Sequence, residues 1–232
     1  MTFDKKVIVA LDSSNFTEIV NLIDTIKEYI FGVKIGYEFF FNFGLIGYKK
    51  IQDKNVNIFL DLKLHDIPNT IKHGINAITD LNPYFTSVHI AGGDEMLKIA
   101  FLNKKKIKIL GVTALTSLDD HQVQKYYSRP TVKELVNDYV SHAINNKIDG
   151  IVCSPHEIKI VKKLSRNNLL IVTPGVRPLS YKKIDDQKRT MSPGKAISLG
   201  ADYLIIGRPI TQSPNPIKEI IDINSEIEKS EN

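Results

Sequence analysis

Phe59-Leu60-Asp61-Leu62-Lys63-Leu64-His65-Asp66-Ile67-Pro68-Asn69-Thr70 reads as the carboxyl end of a buried strand running into a helix. The apolar run begins at Asn57 and reaches Leu64. Pro68 is placed to open the helix, because its missing N–H and fixed φ suit a first helical turn. Side chains on a strand alternate between two faces. Leu60, Leu62 and Leu64 therefore share one face, and Asp61 and Lys63 share the other. Asp66 follows just past the strand end. A bare Asp-x-Lys also describes a structural ion pair beside an ordinary turn. Its place at a strand's carboxyl end shifts the balance, because that is where α/β barrels gather their chemistry.

Outward from this stretch, short apolar runs alternate with amphipathic ones. Strands are expected at Val7–Leu11, Phe31–Gly36, Asn57–Leu64, Ser87–Ala91, Ile107–Leu115, Gly150–Cys153, Leu169–Thr173 and Ala201–Ile206. Helical patterns follow at Phe16–Ile26, Glu38–Gln52, Ile67–Leu81, Asp94–Phe101, Thr131–Asn146 and Ile217–Ile227, with Ser154-Pro155 as a further helix start. Gly44 and Gly47 interrupt the second helix. Strands this apolar are covered on both faces, as in a parallel sheet under helices. The pattern over 232 residues predicts one (β/α)8 TIM barrel domain spanning 1–232, with an open doubly wound sheet as the alternative. The longest irregular stretch, 175–193, is polar and basic, and a loop of that length is functional or disordered.

Composition narrows the function. The net charge of +5 comes mostly from scattered lysines. No basic stripe is interleaved with aromatics in the manner that grips single strands, so no nucleic-acid partner is expected. The single cysteine, Cys153, sits in an apolar run and suits a reducing cytoplasm. No apolar run is long enough to span a bilayer, and no membrane partner is expected. His-x-His, His-Glu-x-x-His and Cys-x-x-Cys spacings are absent, so no metal site is expected. A Gly-x-Gly-x-x-Gly after the first strand and a Gly-x-Ser-x-Gly elbow are absent too.

The strand ends carry, in order, Asp12, Lys34, Asp61 with Lys63 and Asp66, His89, Thr116-Ser117, Arg177 and Gly207-Arg208. So many polar groups on one rim are hard to explain as packing. Gly207 lets backbone N–H groups approach an anion, and Arg208 adds a bidentate donor, in the loops where barrels frequently hold phosphate. Gly175-Val176-Arg177 and Gln187 add donors from the long loop. His65 and His89 are read as packing residues of the wall.

These residues resemble the orotidine 5′-phosphate decarboxylase family in its shorter bacterial form. The likeness runs nearly end to end. It rests on Ala10-Leu11-Asp12, Lys34-Ile35-Gly36, the Asp61 to Thr70 motif, Leu115-Thr116-Ser117, Thr173 to Pro178, Asp186-Gln187 and Ile206 to Pro209. The resemblance implies a homodimer with active sites shared across its interface, converting orotidine 5′-monophosphate to uridine 5′-monophosphate and CO2 without metal or organic cofactor. It implies that Lys63 protonates C6, that Asp61 sits near the substrate carboxylate, and that Asp66 reaches into the other subunit's site. Lys34 and Asp12 would hold the ribose and complete the charge array. Thr116 or Ser117 would contact the base; Arg177, Gln187, Gly207 and Arg208 the phosphate; and Thr70 the nucleotide across the interface. Leu64 and Ala91 depart from residues common in the family. Related sugar-phosphate decarboxylase or aldolase-like barrels share Asp-x-Lys-x-x-Asp but use Mg²⁺. The Ile67-Pro68-Asn69-Thr70 continuation and Gln187 favour the nucleotide enzyme. A non-catalytic pyrimidine sensor would be expected to have lost a charge from the array, and Lys34, Asp61, Lys63 and Asp66 are all present.

Overall fold

The structure is a computed structural model describing residues 4–178, 181 and 190–231. In chain order its elements are β1 (Val7–Ala10), α1 (Phe16–Ile26), β2 (Gly32–Ile35), α2 (Tyr37–Gln52), β3 (Asn57–Leu64), α3 (Pro68–Leu81), β4 (Phe85–His89), α4 (Gly93–Asn103), β5 (Lys108–Val112), α5 (Asp120–Tyr127), α6 (Val132–Asn145), β6 (Gly150–Val152), α7 (Ile158–Ser165), β7 (Leu170–Thr173), α8 (Pro193–Ser198), β8 (Tyr203–Ile206), α9 (Arg208–Thr211) and α10 (Pro216–Glu231). Each strand pairs in parallel with the next, and β8 closes onto β1 with Val7 opposite Leu204 and Val9 opposite Ile206. That closure makes the sheet a (β/α)8 barrel and excludes the open, doubly wound alternative.

Strand alternation sorts the core into two layers. Val7, Val9, Val33, Ile35, Leu60, Ile109, Ile151, Ile171 and Leu204 face outward and pack with the buried stripes of the helices, such as Ile19, Ile23 and Ile26 of α1. Ile8, Ala10, Phe59, Phe85, Leu110, Val112, Val152, Val172 and Ile205 fill the barrel interior. The amino-terminal end is closed by aromatics: Phe31 packs against Tyr84, Phe85 and Tyr203 with ring centres 4.3 to 6.1 Å apart. With that end plugged, the barrel interior opens at the carboxyl-end rim, where polar side chains line the cleft.

Several boundaries differ from the sequence reading, each for a local reason. The fifth strand stops at Val112 rather than Leu115, and its continuation, Ala114 to Thr116, turns into the wall of the rim cleft. Helix α5 was not expected. It is set by a capping box, in which Asp119 accepts from the Gln122 N–H and the Gln122 side chain accepts from the Asp119 N–H. The fourth strand begins two residues early at Phe85, and Ile90–Gly92 is a 3-10 turn instead of strand. Gly44 does break α2, with φ 54° and ψ −150°, whereas Gly47 is buried against Phe43 and Phe16.

Candidate active site

Four side chains from three neighbouring strand ends form a charge array inside the rim. Lys34 Nζ, at the end of β2, lies 3.4 Å from Asp12 Oδ1 beyond β1 and 3.8 Å from Asp61 Oδ2 on β3. Lys63 Nζ lies 2.8 Å from the same Asp61 oxygen. The signs alternate along the chain of contacts: Asp12, Lys34, Asp61, Lys63. Asp61 is 5% exposed. Burial alone would raise its pKa. The ammonium groups of Lys34 and Lys63, with hydrogen bonds from Lys63 and Ser87, outweigh burial and hold the carboxyl below the usual carboxylate range. The group is therefore an anion at neutral pH in a poorly solvated place.

The strand carrying this pair is not regular. The step from Leu60 to Leu64 on β3 lies opposite the shorter step from Thr86 to Val88 on β4. The extra length is taken up in a bulge, and Lys63 adopts φ 46°, a left-handed conformation that L-residues rarely occupy. The simple alternation argument for Asp61 and Lys63 sharing a face thus fails at Lys63. The two nevertheless converge, because the bulge re-aims the lysine. Leu62 and Leu64 still pack against the outer core. A left-handed non-glycine residue costs about 1–3 kcal/mol and persists only where its surroundings impose it.

Those surroundings are visible. Ser87 on β4 is fully buried. Its hydroxyl accepts from the Lys63 N–H at 2.9 Å and donates to Asp61 Oδ1 at 2.8 Å. The Tyr37 hydroxyl, from the first residue of α2, donates to the Leu62 carbonyl at 3.0 Å. The Tyr37 ring centre lies 5.9 Å from Lys63 Nζ. Gly36 lies under the array, where a Cβ would come within 2.9 Å of Lys34 Nζ.

The array opens into a cleft of about 750 Å³, a size suited to a small-molecule ligand. Val112, Ala114, Val152, Cys153 and Ile205 give it an apolar floor, and Thr116, Arg177, Gly207 and Arg208 stand on its walls. Arg177 is fixed by its N–H to the Met191 carbonyl at 2.9 Å, beside the isolated bridge between Val176 and Met191. Its guanidinium donates to the Val176 carbonyl at 3.0 Å and lies 5.7 Å from the Tyr181 ring centre. The Cys153 thiol is buried, and burial, with Glu157 nearby, pushes its pKa well up, which disfavours the reactive thiolate. His65 and His89 lie with ring centres 5.4 Å apart. Burial, then His65 and Lys63, lower the His89 pKa, so its neutral form is favoured.

Of the residues expected at the site, Asp12, Lys34, Asp61, Lys63, Thr116, Arg177, Gly207 and Arg208 line this cleft. Asp66, Thr70 and Ser117 are exposed and do not. The Asp66 carboxylate instead accepts from the Ile67 N–H at 2.7 Å, fixing the turn before α3. Gln187 lies outside the described residues. The sequence reading missed Ser87 and Tyr37. A serine in an apolar strand and a tyrosine opening a helix carry no local signal of their partners.

The sequence profile described as "Orotidine 5'-phosphate decarboxylase / HUMPS family" matches residues 5–223. The chain belongs to this family. It is 36% identical over 229 residues to the orotidine 5'-phosphate decarboxylase of Actinobacillus succinogenes, covering 97% of this chain and 98% of that protein. It is 42% identical over 215 residues to that of Staphylococcus saprophyticus, covering 90% and 93%. The crystal structure of orotidine 5'-phosphate decarboxylase from Lactobacillus acidophilus superposes with a TM-score of 0.82 at 33% identity, covering 97% of this chain and 99% of that one. The Lys34–Asp61–Lys63 cluster of this chain lies at the barrel rim, with Asp61 buried between the two ammonium groups.

Proposed function

We propose that this chain decarboxylates orotidine 5′-monophosphate to uridine 5′-monophosphate and CO2, the last step of de novo pyrimidine nucleotide synthesis, with Lys63 as the proton donor. The observation that carries the mechanism is the pairing of a buried carboxylate, Asp61, with the Lys63 ammonium 2.8 Å away. Breaking the C6–carboxylate bond leaves an electron pair on C6 with no obvious π system to take it. A fixed ammonium stabilises that developing charge and then gives C6 its proton. The resulting amine recovers a proton from solvent.

Asp61 faces the substrate's own carboxylate in this reading. Two unit charges about 4 Å apart interact by roughly 4 kcal/mol at an effective dielectric near 20. That repulsion is relieved as CO2 leaves, so it favours the transition state over bound substrate. Lys34 and Asp12 hold the ribose hydroxyls, and the Lys34 ammonium also helps keep Asp61 ionised. Thr116 meets the base. Arg177, Gly207 and Arg208, together with Gln187, take the phosphate, and binding energy from this remote group orients the base. Asp61 Oδ1 accepts from Ser87 and Oδ2 from Lys63.

The same reading makes the working unit a homodimer, with 1–232 as one domain in each subunit. Tyr37, Phe41, Leu45 and Ile46 on α2 and Ile67 before α3 are large apolar side chains left exposed, Phe41 at 80%, Ile46 at 74% and Ile67 at 67%. Asp66 and Thr70 stand beside Ile67, outside their own chain's cleft. That placement suits residues that complete a partner's site. No helix among the described residues is long and apolar enough to cross a membrane. The proposed step of nucleotide synthesis is what assigns the enzyme to the cytoplasm in this reading.

Loss of orotate absorbance on mixing purified protein with orotidine 5′-monophosphate, with EDTA present and Lys63→Ala as control, tests the proposal. Turnover by wild type alone supports it. A folded, dimeric wild type without turnover overturns it, and turnover only with Mg²⁺ points to the sugar-phosphate barrels.

A further inference from the structure

The peptide group joining Leu62 to Lys63 sits where the barrel's own ladder fails. Regular pairing of β2 with β3 ends at Ile35 opposite Leu60, and the β3–β4 register shifts between Leu60 and Leu64. A partly buried peptide at such a break in the ladder needs other partners. Here both are side-chain hydroxyls. Tyr37 donates to the carbonyl of this peptide at 3.0 Å, and Ser87 accepts from its N–H at 2.9 Å. The Ser87 hydroxyl has a single hydrogen. The Lys63 N–H already occupies an acceptor lone pair, so that hydrogen goes to Asp61 Oδ1 at 2.8 Å. The second oxygen, Oδ2, is then turned toward both Lys63 and Lys34.

We infer that Ser87 and Tyr37 are positioning residues for the decarboxylation: together they clamp the Leu62–Lys63 peptide in its bulge, and Ser87 also sets the rotation of the Asp61 carboxylate. The inference rests on the proposed roles of Lys63 and Asp61. One serine thus couples the proton donor to the charged partner on which its position depends. A merely structural hydroxyl would hold the backbone without addressing the carboxylate.

The test is steady-state kinetics with three variants. Ser87→Ala lowers kcat about 10- to 100-fold, as loss of a charge-assisted hydrogen bond on a reacting group would, with KM little changed. The acid limb of its kcat/KM profile moves to higher pH, because Asp61 has lost a donor. Ser87→Thr keeps the hydroxyl and recovers most of kcat. Tyr37→Phe removes one oxygen from a half-exposed side chain and lowers kcat about 3- to 10-fold; it carries the test if Ser87→Ala does not fold. Wild-type kcat and an unmoved acid limb in folded Ser87→Ala, with wild-type kcat in Tyr37→Phe, overturn the inference while leaving the proposed function standing. An inactive wild type overturns that function and this inference with it.

Discussion

Gly36 stands so close to the Lys34 ammonium that a Cβ on it would lie 2.9 Å from Nζ. Its φ of −102° is open to any residue, so the glycine is required by space and not by backbone conformation. The atom in the way is the far end of a flexible side chain. Gly36→Ala is therefore expected to cost at most about 1 kcal/mol of stability, partly offset by a stiffer unfolded chain. It displaces the ammonium that holds Asp12 and Asp61 together. We predict a fall in kcat/KM of about 10- to 100-fold with a nearly unchanged melting temperature. Equal losses of folding and activity would contradict this.

Position 63 separates chemistry from strain. Lys63→Ala and Lys63→Gly should both lose turnover by at least about 100-fold, since each removes the proposed proton donor, while uridine 5′-monophosphate binding survives in part. Their stabilities should differ. Glycine occupies the left-handed region freely, and alanine does not. Lys63→Gly is expected to be more stable than Lys63→Ala by about 1 kcal/mol in denaturant melts. The opposite order would mean that the bulge carries no strain.

Asp61 also governs acid stability. Its pKa in the folded protein lies below the value of 3.8 for a free side chain, on balance of burial, which raises it, against Lys34, Lys63 and Ser87, which lower it. A depressed carboxyl stabilises the fold fully above its unfolded pKa and loses that contribution as pH falls through the folded one. Stability should therefore drop below about pH 4, and Asp61→Asn should flatten that part of the curve. Urea melts at stepped acid pH decide it; identical slopes in both proteins would remove Asp61 from the acid transition.

The proposed sharing of the site across two chains makes a mixing prediction. Asp66→Asn and Lys63→Ala are each expected to be inactive. Mixed subunits should regain activity, because one site in a heterodimer then has both groups intact. Phe41→Asp, on the exposed face of α2, should shift sedimentation toward the monomer and lower activity in parallel. Subunit exchange without any recovered turnover would place Asp66 outside the partner's site.

Arg208 should report on the phosphate alone. Arg208→Ala is expected to weaken uridine 5′-monophosphate about 10- to 100-fold, the worth of a charge-assisted contact. Uridine, which lacks the phosphate, should bind both proteins equally in a calorimetric titration. A matching loss for uridine would move Arg208 away from the phosphate.

The barrel was legible because its signal is local. Strands such as Val7–Ala10 and Leu170–Thr173 are short, apolar and spaced by helical patterns, and each announces itself. The charges of Asp12, Lys34, Asp61 and Lys63 were legible because charged groups at the ends of buried strands need a reason. The bulge was not, because register depends on β4 as much as on β3, and nothing in the residues 60–64 states the offset. Ser87 and Tyr37 were hidden for the same cause. Their partners are backbone groups freed by that offset, and a hydroxyl reveals its role only when its neighbours are known. The placement of Asp66 and Thr70 outside the cleft likewise depends on how α3 leaves the bulge.

The left-handed backbone at Lys63 sets the direction in which this protein would drift if its reaction ceased to matter. Lysine is an unfavourable occupant of that conformation, and glycine or asparagine would relax it. A lineage or a laboratory screen rewarded for heat resistance alone would lose Lys63 together with Asp61, whose buried charge the lysine neutralises, and keep the barrel. Under the proposed function, persistence of the Asp61–Lys63 pair in a descendant chain is therefore a record of selection for turnover, legible even where other rim residues have changed.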